Sequence, residues 1–115
     1  MRPFSIGLIV ALYSLPVFAD TIAASREVLL DNEFVEVIRL TYPIGTESGM
    51  HGHQHPNRAI YFVKGGKLEL VPNDMNEKAM VMEIADGQSL FVPASTHNVR
   101  NIGGSEVIII ETEIK

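Results

Sequence analysis

The chain contains no cysteine. That excludes thiolate catalysis, iron–sulfur clusters, disulfide staples and structural zinc held by sulfur. Stability must come instead from packing, from a bound metal or from association with a second subunit. Positive charge is also scarce: 9 Lys and Arg stand against 14 Asp and Glu, for a net charge of −5, and no basic run breaks the deficit. Such a chain is not expected to bind nucleic acid or an anionic membrane surface. Long apolar runs are wanting too, since the stretch at residues 6–13 falls short of the roughly twenty residues that span a bilayer. No convincing amphipathic helix is visible, and no strained nucleophile turn supports a serine–histidine–acid arrangement. Gly65-Gly66 and Gly103-Gly104 read as turns without a following helix start, and residues 73–77 lack the spacing of a calcium loop.

The first nineteen residues have the layout of a secretory leader. Arg2 gives a positive start, residues 6–13 an apolar stretch, Pro16 a break, and Val17-Phe18-Ala19 a small-residue cleavage pattern before Asp20. Cleavage after Ala19 is expected, with an uncleaved anchor as the alternative. Removing Arg2 makes the mature chain one charge more negative. The expected organisation is a signal peptide at 1–19, an N-terminal segment at 20–30 and one domain at 31–115, in the periplasm or secreted.

The rest reads as short strands between turn residues. Residues 34–42 mix β-branched and aromatic side chains and end at Pro43-Ile44-Gly45. Residues 59–63 and 67–71 flank Lys64-Gly65-Gly66 and look like a hairpin. A polar loop follows from Pro72, then strands at 79–84, 89–92, 97–101 and 107–110, separated by Ala85-Asp86-Gly87, Pro93 and Gly103-Gly104. This spacing predicts an all-β fold, an antiparallel barrel or sandwich.

Three of the four histidines lie in the run His51-Gly52-His53-Gln54-His55, and His97 follows about forty residues later. On an extended strand, side chains at i and i+2 share a face, so His53 and His55 can converge on one point and His97 can join them. Neutral imidazole suits iron, manganese, zinc, nickel or copper. An exposed histidine-rich loop is the alternative.

These residues carry a resemblance. From about residue 31 to the end, the chain resembles the small single-domain cupins, β-barrel proteins of the double-stranded β-helix type. Their first motif is a His-x-His, then Glu three or four residues on, then an aromatic-Val strand ending in Gly. The run His53-Gln54-His55-Pro56-Asn57-Arg58-Ala59-Ile60-Tyr61-Phe62-Val63-Lys64-Gly65 matches it except for the Glu, whose place falls on Ala59. The second motif is met by Gly87, Pro93, His97 and Asn101, with Ser95 in place of a Gly and the Pro-to-His gap one residue short.

The resemblance implies a divalent transition metal held by His53, His55 and His97, with His51 as a doubtful fourth ligand. If Ala59 faces the site, alternation turns Tyr61 and Val63 inward, where Tyr61 could donate a hydrogen bond or act as a weak acid; packing in the barrel is its bland role. Arg58 could clamp a carboxylate but is expected as an exposed arginine. Phe91, Val99 and Met82 read as core, and Glu111 and Glu113 as solvated carboxylates. Without a ligating carboxylate, the site would favour an anionic or chelating small molecule. Two functions stay open: a metal-dependent oxygenase, isomerase or lyase acting on a small anionic or carbonyl compound, and a non-catalytic exported module binding metal or another small ligand. A homodimer formed through edge strands is expected.

Overall fold

The computed structural model describes residues 22–115, so the leader and its cleavage point lie outside the described residues. Eight strands follow in chain order: β1 Ser25–Asp31, β2 Val35–Tyr42, β3 Asn57–Lys64, β4 Gly66–Pro72, β5 Met80–Ile84, β6 Ser89–Pro93, β7 His97–Asn101 and β8 Val107–Ile114. They form two antiparallel sheets, one of five strands in the order β1-β2-β8-β3-β6 and one of three in the order β5-β4-β7. The stretch read as a segment ahead of the domain therefore contributes β1 to the larger sheet.

The expected hairpin at Lys64-Gly65-Gly66 does not form. β3 pairs with β6 and β8, β4 pairs with β5 and β7, and the chain passes from one sheet to the other between them. The register of β3 against β8 slips between Phe62 and Lys64, and bulges of this kind bend a strand out of its sheet. Gly65 then runs so close to the next segment that a Cβ there would lie 2.0 Å from the Ile84 carbonyl oxygen. Its amide donates to the Asp86 carboxylate at 2.7 Å. Only glycine lets the two backbones meet this way.

The central strand of the larger sheet is β8, and its inward face changes character along its length. Val107, Ile109, Glu111 and Glu113 are all buried and alternate with less buried residues, as period-two geometry requires. Val107 and Ile109 join Tyr42, Phe62, Leu68 and Ile84 in the core between the sheets. Glu111 and Glu113 continue the same face into a polar end. On the neighbouring β3 the inward row is Arg58, Ile60 and Phe62, antiparallel to β8, so Arg58 lies opposite Glu113 and Phe62 opposite Ile109, with Ile60 opposite Glu111 where the face changes character. Burial of the apolar half drives the sheets together; the polar half of the same interior becomes the site.

β3 is therefore turned over relative to the sequence expectation. Ala59, Tyr61 and Val63 face outward, Tyr61 being 47% exposed and Val63 44%, while Arg58 is only 5% exposed. The expectation turned Ala59 inward because, counted from His53 and His55, the inward-facing Glu position of the first motif falls on it. The buried arginine is tolerated because Glu111 faces it. Phe91, read as core, is exposed on the neighbouring edge strand, whereas Met82 and Val99 do pack against the core.

Candidate metal centre

The histidine run is not a regular strand. His51 alone makes a bridge, pairing with His97 through two backbone hydrogen bonds of 2.9 Å, and the chain then runs irregularly to β3. That bridge brings the two distant histidine segments together by main-chain pairing. His51, His53 and His97 each present a ring nitrogen within 4.8 Å of the other two. Their ring centroids are 4.8–5.3 Å apart and their planes are steeply inclined. His55 is not in this group.

In every one of the three rings Nδ1 is engaged elsewhere. His51 Nδ1 lies 2.9 Å from the Gly49 carbonyl oxygen and 3.2 Å from Ser48 Oγ. His53 Nδ1 lies 2.7 Å from Glu113 Oε1, and His97 Nδ1 2.8 Å from Ser95 Oγ. A carbonyl and a carboxylate can only accept, so Nδ1 of His51 and of His53 carries the proton and Nε2 is left with its lone pair. His53 Nε2 and His97 Nε2 stand 3.4 Å apart. The Ser95 hydroxyl oxygen can accept from His97 Nδ1–H, which frees the Nε2 lone pair of that ring as well, and three converging imidazoles whose second nitrogens are held are the donor set of a transition metal.

Electrostatics keep His97 in the ligating form. Burial, followed by the positive influence of His51, Arg58 and His53, lowers its pKa from 6.5 to about 4. The imidazole is neutral at physiological pH and competes with no proton for a metal.

Carboxylates come from β8. Glu113 is hydrogen-bonded to His53, and Glu111, 2% exposed, is paired with Arg58. His53, Glu111 and Glu113 form a second close group that shares His53 with the first. Thus the acids expected to be solvated are buried, and the arginine expected to be exposed is their counterion. With His51-Gly52-His53 as the His-x-His pair, four residues separate it from Arg58, which then holds the place of the first motif's Glu. Ala59 does not. Tyr61 stands on the outer face, away from the three histidines, while the buried tyrosine near the site is Tyr42, which with His51 and Glu111 borders the interior space.

Sequence reasoning missed Glu111, Glu113, Ser48 and Ser95. The first two carried a readable signal, because they continue the period-two face of Val107 and Ile109. Ser48 and Ser95 carried none, since their role depends on which loops meet.

Residues 38–113 match the cupin domain family. The chain is 34% identical over 89 residues to the β-alanine degradation protein BauB of Pseudomonas aeruginosa, covering 76% of this chain and 90% of that one. Its fold is similar to the crystal structure of a cupin domain from Bordetella pertussis Tohama I, with a TM-score of 0.73 and 31% identity over 81% of this chain and 94% of the other. An RmlC-like cupin from Methanocaldococcus jannaschii shares the fold at a TM-score of 0.62 and 16% identity, covering 84% of each chain. Taken with the two facing antiparallel sheets and the histidines at their polar end, these matches establish that the chain belongs to the cupin family.

Proposed function

We propose that this protein is an exported cupin that binds one divalent transition metal through Nε2 of His51, His53 and His97, and that it acts with that metal on a small anionic or carbonyl compound. The observation that carries the reading is the convergence of one ring nitrogen from each of the three histidines within 4.8 Å, with every Nδ1 held by a neighbouring group. A divalent ion bound there supplies Lewis acidity and polarises an oxygen of the substrate. Around it, Glu113 holds the Nδ1 proton of His53, Ser95 orients His97, and apolar walls that include Leu68 and Val99 adjoin His51 and His97. The Pseudomonas relative is named for the degradation of β-alanine, a small carboxylate compound, which supports a substrate of that size.

Titration calorimetry with Zn²⁺ and Co²⁺ tests the ligand set. His51→Ala and His97→Ala are each expected to weaken binding by about 100-fold or more, and His55→Ala to leave it within about threefold. Loss in the His55 variant with retention in the His51 variant would overturn the assignment. A substrate screen on loaded and chelated protein then separates an enzyme from a binding module: turnover, and not binding alone, must vanish with the metal.

Two further features belong to this reading. The leader-like residues 1–19 support export, to be checked by finding Asp20 at the mature N-terminus. A homodimer is supported by the exposed outer face of the five-stranded sheet, where Tyr61 lies diagonal to the 66% exposed Phe91 across the β3–β6 pairing.

A further inference from the structure

Arg58 is the least expected residue of the interior. Its side chain is 6% exposed, Nη1 donates to Glu111, Nη2 lies 3.3 Å from the Pro93 carbonyl, and Nε has no hydrogen-bond partner among the described residues. A buried guanidinium N–H without an acceptor is costly, and such orphans mark places where a ligand completes the set.

Arg58 also lines a cavity of about 130 Å³ shared with His51, His97 and Glu111, whose other walls include Leu68, Leu70, Met82 and Val99. The cavity is therefore polar at the histidine end and apolar elsewhere. A space near 150 Å³ with aliphatic walls holds a molecule of about six carbon atoms.

The formal charges select the ligand further. Three neutral imidazoles, Arg58, Glu111 and Glu113 sum to one net negative charge, and a divalent ion turns this into one net positive charge. A monoanion cancels it; a dianion overshoots, and a neutral molecule leaves it unbalanced.

We propose that this cavity binds a short-chain monocarboxylate, with its carboxylate recognised by Arg58 beside the metal centre and an apolar tail of up to about six carbons among the aliphatic walls. The inference rests on His51, His53 and His97 being metal ligands. Arg58 is then the residue that sets specificity for acid over amide and for one charge over two.

The test is calorimetry on Zn²⁺-loaded protein, with metal uptake measured first. Acetate, butanoate, hexanoate, decanoate, butanamide and succinate are titrated in turn. Affinity is expected to rise by about fourfold per methylene from acetate to hexanoate and then fall for decanoate. Butanamide and succinate are expected to bind at least about tenfold more weakly than butanoate. Because Arg58→Met alone strands Glu111, the double variant Arg58→Met/Glu111→Leu is compared, with Arg58→Lys as a second. With each protein saturated with Zn²⁺, the double variant should lose butanoate affinity by about tenfold or more, and Arg58→Lys should lose part of it. Equal binding of butanoate and butanamide, or unchanged butanoate binding in the double variant, overturns the inference while metal uptake stands. A wild-type chain that takes up no Zn²⁺ overturns the metal reading itself, and this inference with it.

Discussion

His53 shows how much a single residue asks of its surroundings. One ring nitrogen must face the other histidines and the second must be held, and Glu113 does the holding at 2.7 Å. Glu113→Gln removes the charge but retains an acceptor oxygen, so Zn²⁺ affinity should fall by about 10-fold, and Glu113→Leu should lower it by about 100-fold. Equal affinities in all three proteins would show that the contact is incidental. Tyr42 offers a test of burial instead. Desolvation pushes its phenol up to about 12, against the opposing hydrogen bond with Ser48. A folded-state value above the unfolded 10.0 stabilises the fold at every pH below 10, and that contribution, about 2 kcal/mol, disappears as the pH rises through 12. Urea unfolding from pH 9 to 12 should show the stability difference between wild type and Tyr42→Phe shrinking by this amount, whereas a constant difference would contradict it. At this scale the sequence revealed residue types more readily than partners. The clustering of histidines was legible, yet which two of His51, His53 and His55 meet His97 depends on the irregular backbone after His51, and local spacing carries no record of that.

Among the elements, β8 is the strand on which core and site meet. Its four inward residues pass from Val107 and Ile109 to Glu111 and Glu113, and Arg58 on β3 matches the change. Arg58→Met alone should cost about 3–5 kcal/mol in thermal or chemical unfolding because it leaves Glu111 buried without a counterion. Adding Glu111→Leu should recover most of that loss; a double variant no more stable than the single one would show that the pair is not coupled. The corner between β3 and β4 makes a second demand, since Gly65→Ala must displace backbone at Ile84. A loss of about 3 kcal/mol or more is expected. Strand positions were largely readable from turn residues such as Gly87 and Pro93. The pairing of β3 was not, because two adjacent strands around a Gly-Gly turn look alike whether they pair or part. The facing of β3 follows from the same limit: counting the motif from His53 and His55 turns Ala59 inward, and an arginine suits the interior only when a carboxylate from a strand some fifty residues away is taken into account.

For the molecule as a whole, the assembly prediction follows from the outward turn of β3. Tyr61 and Phe91 belong to an exposed apolar face and not to the site, so Tyr61→Arg/Phe91→Asp should give a monomer by light scattering while Zn²⁺ affinity is unchanged. Loss of metal affinity in that variant would return Tyr61 to the centre. The all-β class was legible at this scale because alternation and turns recur along the whole chain, whereas the division into five strands and three was not. The bridge between His51 and His97 has a kinetic implication. Two of the three imidazoles ride on segments whose backbones are hydrogen-bonded to each other in both directions, so neither segment can swing away without breaking the pairing that steadies its neighbour. Amide hydrogen exchange at these two positions should therefore slow in concert when Zn²⁺ is added, and the opening rate it reports should set the upper limit on how fast the ion escapes.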